Sequence, residues 1–246
     1  MSRATKDAGG SRCAAPGPFD GAVAALFDLD GTLIETHIDF PRMKREVLAA
    51  AARYGVDADA LEPLDILTAV EAGRDRLSGQ GDAGDRLRAE CFAILRDIEV
   101  EQCARPVRIE GAAPLVRRIQ DMGIPVGVVT RNSRAVSERL LEQAKIVPNA
   151  LVTRDDVART KPDPMHLFEA LARLGIAADA ADRCVMVGDH PMDIQAGRAA
   201  GMRTIAVVNG GRRQRFEGCP PDWIASTTDD LLRLLPARLR GRPTRR

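Results

Sequence analysis

Aromatic side chains are scarce in this sequence, with one Trp, one Tyr and six Phe among 246 residues. Its core must therefore be packed mainly by Leu, Val, Ile and Ala. Lysine is scarcer still, confined to Lys6, Lys44, Lys145 and Lys161, so a lysine inside a motif invites a specific role. The net charge of +1 shows no excess of either sign, which removes the sequence-wide case for a nucleic-acid partner. The cysteines (Cys13, Cys91, Cys103, Cys184 and Cys219) are odd in number and contain no C-x-x-C pair. They read as reduced thiols rather than as a disulfide framework or a zinc site. No apolar run approaches the roughly 18 residues of a membrane span, so no membrane partner is expected. Residues 1–18 are rich in Gly, Ala, Ser and Pro and lack the apolar centre of a secretory signal. Arg3, Lys6 and Arg12 lend that stretch some transit-peptide character, against which stand Asp7, Gly9 and Gly10; a disordered tail is the expectation. Together these absences point to a cytoplasmic protein.

What is present is ordinary globular material, 45% hydrophobic and 29% charged. The length suits one large α/β domain or a core with a small accessory domain. Short continuous apolar runs at 23–27, 124–129, 184–187 and 204–208, with a weaker one at 150–153, have the character of strands buried on both faces. Helical patterns lie between them at 113–122, 133–143, 164–174 and 191–200. Three of these are closed by Gly123, Gly175 and Gly201; two are opened by Pro164 and Pro191, and Ser133 stands as the cap of another. Such alternation predicts a doubly wound, Rossmann-like parallel sheet. Residues 36–105 interrupt it with three successive helical patterns at 41–54, 64–77 and 85–100. In the last, Leu87, Cys91, Ile94, Leu95 and Ile98 share one face. The expected organisation is a tail at 1–18, a catalytic core at 19–35 and 106–235, an inserted all-helical cap at 36–105, and a basic C-terminal tail at 236–246.

The strong polar signals all fall at carboxyl ends of predicted strands, the edge where open parallel sheets bind ligands. They are Asp28-Leu29-Asp30-Gly31-Thr32, then Thr130-Arg131-Asn132, then Lys161-Pro162-Asp163-Pro164, then Gly188-Asp189-His190-Pro191-Met192-Asp193. Asp28 sits on the rigid strand while Gly31 lets the chain turn so that Asp30 swings above it. That pair fits a division in which one carboxylate attacks and the other moves a proton. Asp189 and Asp193 add charge that cannot remain buried and ionised without a cation, and an all-oxygen ligand set suits Mg²⁺. Lys161 and Thr130 supply cationic charge and hydrogen-bond donors for a phosphoryl group.

In this order the four motifs resemble the haloacid dehalogenase superfamily, over roughly residues 23–208, with the helical insertion in the position of a small C1-type cap. The layout is most similar to phosphoglycolate phosphatase-like members. The resemblance implies a Mg²⁺-dependent phosphatase acting on a small phosphorylated metabolite. Asp28 would be the nucleophile that becomes an aspartyl-phosphate, Asp30 the general acid/base, and Lys161 the holder of nucleophile and phosphate. Thr130, with Arg131 and Asn132, would contact substrate. The metal would be held by Asp28, Asp30 through its carbonyl, Asp189 and, directly or through water, Asp193. Two departures stand out: Arg131 intervenes between the motif threonine and Asn132, and His190-Pro191 replace the usual serine after Asp189.

Other readings of the same residues compete. His190 and His166 read as structural, Asp155 and Asp156 as a turn, and Trp223 as packing against the core. His37, Asp39, Arg42 and Arg45 at the start of the insertion face either substrate or solvent. A sugar-phosphate mutase shares all four motifs. A dehalogenase is disfavoured by Asp30, and a receiver domain by length and motif order. A non-catalytic, phospho-ligand- or partner-binding descendant would be expected to lose a catalytic group, and none is lost. The sequence sets neither the oligomeric state nor the particular phosphomonoester.

Overall fold

A computed structural model describes residues 17–103, 106–210 and 213–235. The expected tails at 1–18 and 236–246 therefore lie almost wholly outside the described residues, as does the boundary at 104–105. Strand β1 (Ala24–Phe27) is followed by β2 (Ile34–Glu35) and three helices, α1 (Phe40–Arg53), α2 (Ile66–Arg76) and α3 (Ala83–Gln102). Then come β3 (Val107–Arg108), α4 (Ala112–Asp121), β4 (Val126–Val129), α5 (Arg134–Ala144), β5 (Ala150–Val152) and α6 (Met165–Arg173). The chain continues through β6 (Cys184–Gly188), α7 (Pro191–Ala199), β7 (Arg203–Val207), β8 (Trp223–Ala225) and α8 (Thr228–Leu234). Six strands form one sheet in the order β5-β4-β1-β6-β7-β8, every pair parallel. The doubly wound parallel fold expected from the alternation is borne out.

β1 lies inside the sheet between β4 and β6, and all four of its residues are buried. Its side chains alternate between two apolar layers, as the two-residue period of a strand requires. Ala25 and Phe27 join the layer containing Leu115, Ile119 and Leu140 of α4 and α5. Ala24 and Leu26 join the layer of Leu167 and Leu171 from α6 and Ala196 from α7. The same parity directs Asp28, one step beyond the strand, toward the side of α6 and α7. Burying Phe27 or Leu26 completely is worth about 1.5–3 kcal/mol each, so this strand is fixed firmly.

α1, α2 and α3 pack on one another, and the predicted face of α3 is inward: Leu87, Cys91, Leu95 and Ile98 are buried, and Ile94 packs against the same cluster. The insertion departs and returns through a second, two-stranded sheet in which Ile34 pairs with Arg108 and Glu35 with Val107, antiparallel. Its strands, two residues each, are too short for periodicity to register. Trp223 packs against the core from β8, as anticipated. Ser133 occupies the N-cap position of α5 but makes no side-chain cap bond to its own helix. Its hydroxyl and amide are both directed to Glu99 of α3, a correction to the cap expected from the local sequence. No helix of the described residues is long and apolar enough to cross a membrane.

Candidate active site

Asp28, Thr130, Lys161 and Asp189, from four separate loops at one edge of the sheet, line a single cavity of about 780 Å³ with Asp193 of α7. Asp28 follows β1, and its amide donates to the Val187 carbonyl at 2.9 Å, which locks it to the end of β6. Lys161 is 2% exposed, and its ammonium donates to Asp28 Oδ1 (2.6 Å), Asp193 Oδ1 (2.7 Å) and the Val129 carbonyl (2.8 Å). All three of its donors are used. Burial alone would lower the lysine's pKa, yet the Asp193 and Asp28 carboxylates raise it, so the ammonium stays charged. Below it, His166 Nδ1 accepts from the Lys161 amide at 3.2 Å. Burial, reinforced by the charge of Lys161, pushes that imidazole down to about 3.

One oxygen from each of Asp28, Asp189 and Asp193 lies within 4.8 Å of the others. Burial raises the Asp28 carboxyl well above its ordinary value, and the neighbouring carboxylates add to this against the pull of Lys161. Asp189 is pushed up to about 7 by burial and then by Asp193. A group of oxygen donors that resist ionising together fits a hard divalent cation, which would reverse both shifts. The backbone makes room for this crowding. Gly31 has φ +81°, and a Cβ there would stand 2.5 Å from Asp189 Oδ2. At Gly188 a Cβ would meet Asp193 Oδ2 at 2.2 Å. No side chain fits at either position. Thr32 Oγ1 donates to Asp189 Oδ1 at 3.3 Å, and Arg215 approaches Asp189 Oδ2 at 3.7 Å.

Asp30 lies outside this cluster. Its carboxylate accepts from the Thr36 amide at 3.0 Å, at the neck leading to α1, and burial raises its pKa. A raised carboxylic acid holds its proton nearer neutrality, as a general acid must. Asp193 is committed on both oxygens, to Lys161 and to the His190 amide at 3.0 Å. His190 closes the reciprocal cap of α7, its Nδ1 accepting from Met192 N at 3.2 Å. The imidazole thus performs the helix-capping task of a serine at that position.

The loop after β4 divides its labour. Thr130 is buried, and its Oγ1 accepts from the Asn132 amide at 3.2 Å. Asn132 is 7% exposed and lines the cavity, with its Nδ2 unpartnered. Arg131 reaches instead to Asp65, at the N-cap of α2, and to Met192 Sδ at 2.9 Å.

The haloacid dehalogenase-like hydrolase family matches residues 23–201. The chain belongs to the haloacid dehalogenase-like hydrolases. Relatives in the family include the N-acetylmuramic acid 6-phosphate phosphatase of Pseudomonas aeruginosa, 33% identical over 76% of this chain and 82% of that one. The phosphoglycolate phosphatase of Xanthomonas campestris pv. campestris is 30% identical over 77% and 84%. A crystal structure of a haloacid dehalogenase-like hydrolase from Bacteroides fragilis superposes with TM-score 0.62 at 23% identity, covering 85% of this chain and 99% of that one. The family resemblance drawn from the four motifs is borne out, and with it the assignment as a hydrolase.

The site residues expected from the sequence, Asp28, Asp30, Thr130, Arg131, Asn132, Lys161, Asp189 and Asp193, all line the cavity. Of the basic residues considered at the start of α1, Arg42 turns to Glu46 and Glu101 on the surface. Lys44 is the cation of α1 that lines the cavity. The sequence reading also missed Asp65, Glu99, Arg154 and Arg215 as lining residues. None of them carried a local signal, since Lys44 stands outside the four motifs and the others are ordinary helix and loop residues.

Proposed function

We propose that this hydrolase is a Mg²⁺-dependent phosphatase of small phosphomonoesters that works through an aspartyl-phosphate on Asp28. The observation that carries the reading is the placement of Asp28 beside the Lys161 ammonium and two further carboxylates in one cavity at the sheet edge. Asp28 attacks phosphorus while the bond to the substrate alcohol breaks, and Asp30 gives its proton to the departing oxygen. Asp30 then takes a proton from water, whose oxygen attacks phosphorus, releasing phosphate and restoring Asp28. Thr130 donates its hydroxyl to a phosphoryl oxygen, while Lys161, held by Asp28, Asp193 and Val129, offsets the phosphate charge from beside the nucleophile. Mg²⁺ held by Asp28, Asp189 and the Asp30 carbonyl, with Asp193 beside it, would neutralise charge on the phosphate. The relatives named for N-acetylmuramic acid 6-phosphate and phosphoglycolate support small phosphorylated metabolites as the substrate class. We also read α1–α3 as a cap, entering and leaving through β2 and β3, that closes over the cavity and excludes folded protein substrates. Measuring phosphate against free alcohol across small phosphomonoesters, with Mg²⁺ and with chelator, tests this. Stoichiometric release only with Mg²⁺ is the expected result; an isomerised phosphoester instead would mean a mutase.

A further inference from the structure

Arg131 is a charge in the cavity whose hydrogen-bonding capacity is only partly used. Its contacts are one carboxylate, Asp65, and the thioether of Met192, a weak acceptor. Its Nε is buried and makes no hydrogen bond. A guanidinium offers five donors in a planar fork matched to a carboxylate, so this one retains unmet capacity inside a pocket. Asn132, the next residue, lines the same cavity, and its Nδ2 is a second buried, unpartnered donor. A second cation stands near: Lys44 donates to the Leu61 carbonyl at 3.1 Å and to that of Leu64, the neighbour of Asp65. It makes no ion pair among the described residues and lines the cavity too. By contrast, the hydrogen bonds of Lys161 are all directed to Asp28, Asp193 and Val129. Besides Arg154, paired with Glu99, and Arg215, near Asp189, the cavity's cations are Lys161, joined to the nucleophile, and the pair Arg131 and Lys44, joined to the segment that leads into α2.

Resting on the phosphatase reading, we propose that Arg131, assisted by Asn132 and Lys44, is a specificity site for a carboxylate on the leaving-group half of the substrate. Asp65 occupies that site as a built-in competitor until the substrate arrives. A carboxylate is favoured over a second phosphate because the occupant already seated there is itself a carboxylate. The Asp65 carboxyl is lowered despite its burial, held ionised by Arg131 and Thr68, so the exchange replaces one anion by another and leaves the guanidinium paired. Substrates without such a group leave Asp65 in place and gain nothing from Arg131.

The test compares substrates that differ only in the acidic group. 3-Phosphoglycerate is set against glycerol 3-phosphate, and N-acetylmuramic acid 6-phosphate against N-acetylglucosamine 6-phosphate. Fructose 1,6-bisphosphate against fructose 6-phosphate provides the second-phosphate arm. The expected result is a KM lower by about tenfold or more for each carboxylate-bearing member, the scale of one charged hydrogen-bond pair. A contact made equally in the ground state and the transition state changes KM and leaves kcat unchanged. Arg131→Met should bring the ratio within each carboxylate pair toward one. Asp65→Asn should lower KM for the carboxylate member without a parallel gain for the neutral one, because the competitor is gone. That variant retains an acceptor for Thr68, so it stays informative even where Arg131→Met fails to fold. Equal KM values within the wild-type pairs overturn the inference. So does a rise in KM for both members in Asp65→Asn, which would make the pair a mere latch, or a preference for the bisphosphate over the carboxylates. Phosphate release from none of the compounds defeats the phosphatase reading itself, and the inference with it.

Discussion

Replacing Asp28 by Asn keeps the side chain's volume and an acceptor for Lys161 but removes the attacking oxyanion. Purified Asp28→Asn should show native circular dichroism and phosphate release at least about a thousandfold below wild type, the scale expected when a nucleophile is lost. Activity near wild type would exclude Asp28 as the nucleophile. His166 makes a second prediction, about pH. Its folded pKa of about 3 lies below the roughly 6.5 of a free imidazole. Between those values the unfolded chain binds the extra proton, so the stabilisation is complete above pH 6.5 and is lost as pH falls toward 3. Two linked pKa values so far apart bound the effect at roughly 4–5 kcal/mol. His166→Asn places an amide oxygen where Nδ1 was and cannot titrate. Urea unfolding at pH 4.5 and pH 7 should show a smaller difference for the variant than for wild type. At this scale the sequence was legible where polar residues follow a strand end, as at Asp28, Thr130 and Asp189, and at Lys161 through its motif in the loop before α6. It was illegible for Lys44, Asp65, Glu99, Arg154 and Arg215, isolated residues of ordinary helices and loops that converge only through tertiary packing.

Helix α3 is tied to the sheet by a charge rather than by apolar contact alone. Glu99 and Arg154 form an ion pair with each side chain 2% exposed. Glu99 also accepts from Ser133 N and Oγ at 3.1 and 2.7 Å, and Arg154 donates to the Arg131 carbonyl at 3.1 Å. The anion sits at the N-terminus of α5, where helix polarity favours it. Arg154→Met should therefore cost about 3–5 kcal/mol in urea unfolding, because Glu99 is left charged and buried. Glu99→Leu combined with Arg154→Met should recover much of that loss, since apolar replacements remove both charges. If the double variant is no more stable than Arg154→Met, desolvation is not the dominant cost. The three helices of the insertion were readable because each spans enough turns for its apolar face to recur. β2, β3 and β8 were not, since two or three residues cannot establish a period. The partner of Ser133 was hidden for another reason: it lies 34 residues away, on α3.

For the molecule as a whole, the carboxylate cluster makes cation binding a matter of stability as well as catalysis. A ligand that binds only the folded state at a hundred times its Kd adds about 2.7 kcal/mol, or roughly 5–10 °C in Tm for a chain of this size. Mg²⁺ at millimolar concentration should raise Tm on that scale. Asp189→Asn should abolish the rise, even if relief of repulsion leaves its metal-free Tm unchanged or higher. An equal rise in the variant would place the ion elsewhere. The sheet order also bears on how the chain is made. β1 carries the nucleophile near the amino end, yet one of its partners, β6, begins about 160 residues later; at the roughly 5–20 residues per second of synthesis, the strand waits about 8–30 s for that neighbour. Throughout that interval its Ala-Ala-Leu-Phe segment has one flank without a permanent seat. Asp28 meets Asp193 only once α7 has been made. A nascent chain halted before that point carries every atom of the nucleophile and no active site, so turnover doubles as a sign that synthesis has passed α7.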